Sequence, residues 1–229
     1  MKGVSILFEN SEILLVNKEA GVSVQGGAGV AHPLDEELSK ELGYKIHLVH
    51  RLDKDTAGIL IVAKNPAAAT KWTGLIGSKE VSKEYTAICI GKPGQEGILE
   101  GTVEAHGRTQ KAMSRYRVEK TGLVPPAGAA ENGQAGESIP LSLLSIRIET
   151  GRMHQIRIQT AQAGFPIAGD DQHGDFRTNK FLRKAGIKKL MLASTRLTIP
   201  LDDGLRTFGI PLPAHMQTAL DSFFSDGQR

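Results

Sequence analysis

Cysteine is almost absent from this chain. A single Cys89 in 229 residues excludes an internal disulfide and any cysteine-rich zinc site. It lies in an apolar, strand-like run and is expected in the core. No apolar run is long enough to cross a bilayer, so no membrane partner is expected. The first residues, Met1 to Glu9, lack a sustained apolar stretch followed by a small-residue cleavage site, so no secretory signal is read and the cytoplasm is the expected location. Seven histidines are scattered without a His-x-x-x-His spacing, and no catalytic metal is expected. Gly26-Gly27-Ala28-Gly29 lacks the Lys-Ser/Thr pair of a P-loop and reads as a flexible loop. There is no nucleophile elbow, no internal repeat and no heptad seam. Carboxylates are what remain as candidate nucleophiles.

What is present is ordinary globular material, with 40% hydrophobic and 23% charged residues, enough to bury a real core. The net charge of +3 is mild, yet six Lys or Arg and no acid lie between Arg177 and Lys189. Phosphate contacts are expected there, with a solvated helix face as the plainer reading. The polar turn Glu9-Asn10-Ser11-Glu12 between Ile6 to Phe8 and Ile13 to Val16 predicts an opening β-hairpin. Pro33 starts a helix that lines up Leu34, Leu38 and Leu42 and stops at Gly43; Asn65-Pro66 starts a second, ending at Gly77. Lys83 to Ile90 reads as a strand with Tyr85, Ala87 and Cys89 on one face. Leu99 to Val118 reads as further strands with turns at Gly101 and Gly107, presenting Arg108, Lys111, Arg115 and Arg117 as a possible basic face.

Gly122 to Pro140, rich in Gly, Ala, Pro and Ser, reads as a mobile loop inserted into one domain spanning 1–229. Leu141 to Glu149 is a strand. Thr150 is placed to cap a helix from Arg152 to Ala163, on which His154, Arg157 and Ala161 share a face. Leu190 to Ile199 is a strand and Pro213 to Phe224 a closing helix. Strands with a few scattered helices and no regular alternation predict an α+β fold: a mixed, mostly antiparallel central sheet with flanking helices and loops.

The stretch from His50 to Lys64 holds a charged turn between two apolar runs, Ile46 to Val49 and Ile59 to Val62. Asp53 there is either a turn residue, as Asp often is, or a reactive carboxylate on a rigid support. A nucleophilic Asp must be ionised, and an opposite charge close by is the way to hold it so. Spacing alone does not say whether Arg157 meets it, nor whether Asp55 is its partner.

The sequence His50-Arg51-Leu52-Asp53-Lys54-Asp55-Thr56-Ala57-Gly58-Ile59-Leu60 resembles the signature of RluA-type pseudouridine synthases, in the RluA/RsuA family. The likeness continues through Phe8 to Gly21, an opening hairpin and Lys-containing loop, and Lys83 to Ala87, a tyrosine strand. It extends to Gly151-Arg152-Met153-His154-Gln155-Ile156-Arg157, an arginine helix, to the turn Gly164 to Gly174, and to the strand Leu190 to Leu197, in the family's order. Glu19, Ala57 and Met153 depart from the usual Pro, Ser, and Thr or Ser.

The resemblance implies a cofactor-free isomerase acting on structured RNA, ribosomal or transfer. The N-glycosidic bond of a uridine breaks, the base turns, and it rejoins through C5. It implies Asp53 as nucleophile, attacking the ribose or assisting glycosidic cleavage, Arg157 as the group that keeps it ionised, and Tyr85 stacking on the base with its hydroxyl available to help remove the C5 proton. It implies substrate contacts from Arg51, which would fill the gap left by a flipped base, from Arg152, His154, Gln155 and Leu192, and from His50, whose plainer reading is a polar residue supporting the turn. A monomer without an N-terminal S4-like domain is expected. A non-catalytic RNA-binding module and a hydrolase of free nucleosides are the competing classes.

Overall fold

The polar turn at Glu9 to Glu12 does reverse the chain. In a computed structural model, which describes residues 1–27, 29–105, 108–126 and 137–224, β1 (Val4–Glu9) pairs antiparallel with β2 (Ile13–Lys18). Asn10 makes the reversal: its Oδ1 accepts the backbone N–H groups of Glu12 and Ile13, both at 2.8 Å. The described residues divide into two compact units, Met1–Glu84 with Ala193–Pro211, and Tyr85–Leu192 with the chain from Leu212 onward.

In the first unit β4 (Ala57–Ala63), buried along its whole length, is the organising strand. One edge carries β2, antiparallel. The other edge is shared by β3 (His47–Leu48), antiparallel at the far end of β4, and β9 (Leu192–Leu201), parallel at its start through Ala57 and Gly58. β10 (Gly204–Gly209), which periodicity had not marked, pairs antiparallel with β9. Near-continuous aliphatic sequence in β2 and β4 reflects burial on both faces. One face packs under α2 (Pro66–Gly77), where Trp72 meets Ile13, Leu15, Ile59, Ile61, Leu197 and Ile199. Asn65 caps α2 by accepting Ala68 N–H at 2.9 Å, as its place before Pro66 predicts. Leu34 and Leu38 of α1 (Leu34–Leu42) are buried, and Gly43 ends that helix with φ 76°.

The second unit contains the order β5-β8-β7-β6, from β5 (Ser82–Ile90), whose Tyr85 to Ile90 belong here, β6 (Glu96–Ala105), β7 (Arg108–Val124) and β8 (Ile139–Ile148). β6, β7 and β8 pair antiparallel. Three expectations are corrected. Gly101 lies inside β6, paired with Ala112, because a glycine on an open strand position breaks no ladder bond; the Gly107 turn falls outside the described residues. The Gly122 to Pro140 span is strand at both ends: Gly122 to Val124 pair with Leu141 to Ile139, and 127–136 lie outside the described residues. The arginine helix α3 is shorter, Gln155–Gln162, and His154 rather than Thr150 stands at its N-cap. α3 packs on β6, and α5 (Ala214–Phe223) on β7. α4 (Phe176–Lys184) is capped by Asp175, which accepts Thr178 N–H. Among the described residues no helix is long and apolar enough to cross a membrane. The observed architecture is the expected α+β fold with mostly antiparallel pairing.

Candidate active site

Asp53 opens a turn at the entry to β4, closed by Thr56 N–H donating to Asp53 O at 3.1 Å. Two anchors fix this turn. Gly58 has φ 117°, and a Cβ there would stand 2.2 Å from Ser194 O, so only glycine lets β4 start against β9. At the other side, Lys54 O accepts Gly21 N–H at 2.8 Å and Lys18 Nζ at 3.0 Å.

Lys18 is the residue that sequence reasoning passed over. The alternation of β2 turns it inward, and it is fully buried. Its ammonium also donates to Glu19 O at 3.1 Å and Val22 O at 2.9 Å, so its three protons meet three carbonyls. Burial pulls its pKa down to about 8, against the opposing pull of the Asp55 and Asp53 carboxylates. It therefore stays a cation at neutral pH, a fixed positive charge that Asp53 and Asp55 both feel. A lysine ending an aliphatic strand was the available signal.

His50 is corrected. Its Nε2 accepts Ile61 N–H at 3.0 Å, and burial, with the Lys83 ammonium, holds its pKa down to about 3. A neutral imidazole bonded to the strand backbone supports the turn and does not offer that nitrogen to substrate. Arg51 is exposed and Asp53 half-buried.

In the second unit Tyr85 is buried on β5, on the same face as the small residues Ala87 and Cys89. Arg157, buried on α3, is gripped by Asp170: Nε to Oδ2 and Nη2 to Oδ1, both 2.8 Å. This is a fork-to-fork pair of the rigid kind. Oδ1 also accepts Gln172 and His173 N–H, each at 3.0 Å. Burial raises the Asp170 pKa, but the guanidinium and these N–H groups outweigh it and hold the carboxyl below its usual range. Asp170 was read only as part of a turn, since nothing in a turn-rich segment tells which helix it will reach.

Gln155, expected at the substrate, is corrected as well. It is buried; its Oε1 accepts Thr150 Oγ1 at 2.7 Å and Arg152 N–H at 3.1 Å, and its Nε2 donates to Met113 O and Ser114 Oγ, both at 3.0 Å. A fully engaged amide ties the start of α3 to β7. His154 adopts a left-handed backbone, φ 53°, and its Nδ1 lies 2.9 Å from His173 Nε2. Such strain persists only where the surroundings fix it, and here the partner is the residue whose N–H also binds Asp170. Arg152 is exposed and Leu192 buried. The structure thus brings Arg157, His154, Gln155 and Arg152 together at one helix start, and His50, Arg51 and Asp53 together at one turn. Among the described residues no cluster of His, Cys, Asp and Glu side chains could hold a metal ion.

Residues 12–162 match the family described as RNA pseudouridylate synthase. Ribosomal large subunit pseudouridine synthase C of Vibrio cholerae serotype O1 is 32% identical over 219 residues, covering 94% of this chain and 68% of the relative. Ribosomal large subunit pseudouridine synthase D of Yersinia pestis is 33% identical over 183 residues, covering 75% and 53%. The solved structure of human RNA Pseudouridylate Synthase Domain Containing 4 superposes with a TM-score of 0.74 at 21% identity, covering 95% of this chain and 92% of that one.

Proposed function

Because the chain belongs to the RNA pseudouridylate synthase family, isomerases that convert uridine in RNA to pseudouridine, we propose that its substrate is ribosomal RNA and that Asp53 is the nucleophile acting on a uridine turned out of its helix. The observation that carries the reading is the Asp53 turn itself, anchored by Gly58 and by Lys18 within the signature stretch. The names of the large-subunit relatives support the RNA class.

The chemistry balances without a co-reactant. The N1–C1′ bond breaks and a C5–C1′ bond forms; C5 loses its proton and N1 gains one. A carboxylate suits attack at a glycosidic carbon, and the Lys18 ammonium is a fixed positive charge that it feels. By the family resemblance Arg157 is a second cation of the reaction, its geometry set by Asp170. Tyr85 stacks on the detached base and limits its tumbling, and Arg51, exposed beside the nucleophile, fills the stack that the flipped base leaves. Arg152 and His154 contact the RNA backbone, and Leu192 forms part of the apolar wall around the base. In this reading the whole chain works as one catalytic domain, a cytoplasmic monomer that needs no cofactor.

The test uses transcripts made with uridine tritiated at C5, since isomerisation releases that hydrogen to water. The purified chain should release tritium from large-subunit ribosomal RNA well above the level from transfer RNA. Release from transfer RNA alone would contradict the ribosomal assignment, and cleavage of free uridine without release from any RNA would contradict the isomerase.

A further inference from the structure

The reaction above leaves α4 without a task, although four of its nine residues are Lys or Arg and none is acidic. At about 100° per residue, Phe176, Lys180, Lys184, Arg177 and Arg183 fall within an arc of about 120°, while Leu182 points the other way, Asn179 borders the arc, and both are buried. Arg177, Lys180 and Lys184 are exposed, as are Lys188 and Lys189 just beyond the helix. The acids nearby are few: Asp171 pairs with Arg183, and Asp175, which caps the helix, interacts with Arg177. Phe176 sits inside the same cationic arc with 70% of its surface exposed.

A solvated helix face explains the charges but not the ring. A bare phenyl group among cations matches the combination that binds unpaired nucleotides, in which an aromatic face stacks on a base and Lys or Arg hold the phosphates on either side. The helix is also firmly seated. Asn179 accepts Gly169 N–H at 3.0 Å and donates to Asp170 O at 2.8 Å, so the element that shows the ring to solvent is bonded to the turn that grips Arg157.

We propose that α4 is an RNA-docking element, in which Phe176 stacks on an unpaired base of the substrate while Arg177, Lys180 and Lys184 bind the adjoining phosphates. This rests on the RNA substrate class proposed above and adds that the RNA offers a single-stranded segment to this helix.

The probes are a fluorescent RNA hairpin with an unpaired loop and a blunt duplex of the same stem, bound by the full chain over a range of salt. Phe176→Ala should weaken hairpin binding about tenfold, as loss of one stacked base does, with duplex binding and salt slope unchanged; Phe176→Trp should restore it. The double variant Lys180→Gln, Lys184→Gln should weaken both RNAs and lower the salt slope by about two. Phe176→Ala that binds the hairpin like the parent overturns the proposal, as does equal loss on both RNAs or a parent chain that binds neither. Failure of tritium release by the parent chain with the stacking pattern intact would remove the isomerase reading and leave the docking helix standing.

Discussion

Lys18 donates to three backbone carbonyls from a fully buried position, so Lys18→Met takes the ammonium from all three, and of them Lys54 O keeps Gly21 N–H. Denaturant unfolding should show a loss of about 3 kcal/mol, and tritium release should fall at least about tenfold through the lost charge near Asp53. His50 gives a pH signature. Its folded pKa is held down to about 3, whereas the unfolded chain takes the proton near pH 6.5. The stability it contributes is complete above that unfolded value and is lost as pH falls toward the folded one. Between pH 6 and 4 the parent should lose up to about 1.4 kcal/mol per pH unit more than His50→Gln; parallel slopes would contradict the neutral, strand-bonded imidazole. The Asp53 turn was legible because a charged stretch between apolar runs stood in a long signature. Lys18 and Asp170 were not, because a buried cation and a turn carboxylate acquire meaning only from carbonyls and guanidinium groups brought in from elsewhere in the chain.

Among the elements, β4 and α3 support the residues proposed for the chemistry, and each depends on one contact that periodicity does not reveal. For β4 it is the approach of Gly58 to Ser194. Gly58→Ala should cost well over about 1 kcal/mol, since the left-handed backbone and the close contact add, and should lower the melting temperature more than alanine at the open Gly27. For α3 it is the Asp170 grip. Asp170→Asn leaves Arg157 a buried, half-paired charge and should cost about 3 kcal/mol in denaturant unfolding, with tritium release falling alongside. The hairpin, α1 and α2 were readable because their caps and turns are local. The start of α3 was not: Thr150, an apt N-cap by type, instead donates to Gln155 Oε1 at 2.7 Å, a tertiary contact that overrides local preference. The Gly122 to Pro140 span misled at its ends because strand pairing with Leu141 to Ile139 outweighs a loop-like composition.

At the scale of the whole molecule, the fold class followed from the mix of strands and scattered helices, and the family from motifs spread along most of the chain. The division into two units, with Asp53 in one and Tyr85 and Arg157 in the other, did not, because both β5 and β9 run from one unit into the other and no linker composition marks the boundary. What unites the account is the claim that Asp53 does covalent chemistry on a uridine in RNA. The most direct measurement is tritium release from 5-tritiated ribosomal RNA by Asp53→Asn beside the parent and Asp55→Asn, with unfolding curves to confirm intact folding. Asp53→Asn should lose at least about a thousandfold in rate, as loss of a nucleophile does, while Asp55→Asn keeps most of its activity; an Asp53→Asn protein that releases tritium at the parent's rate would contradict the account.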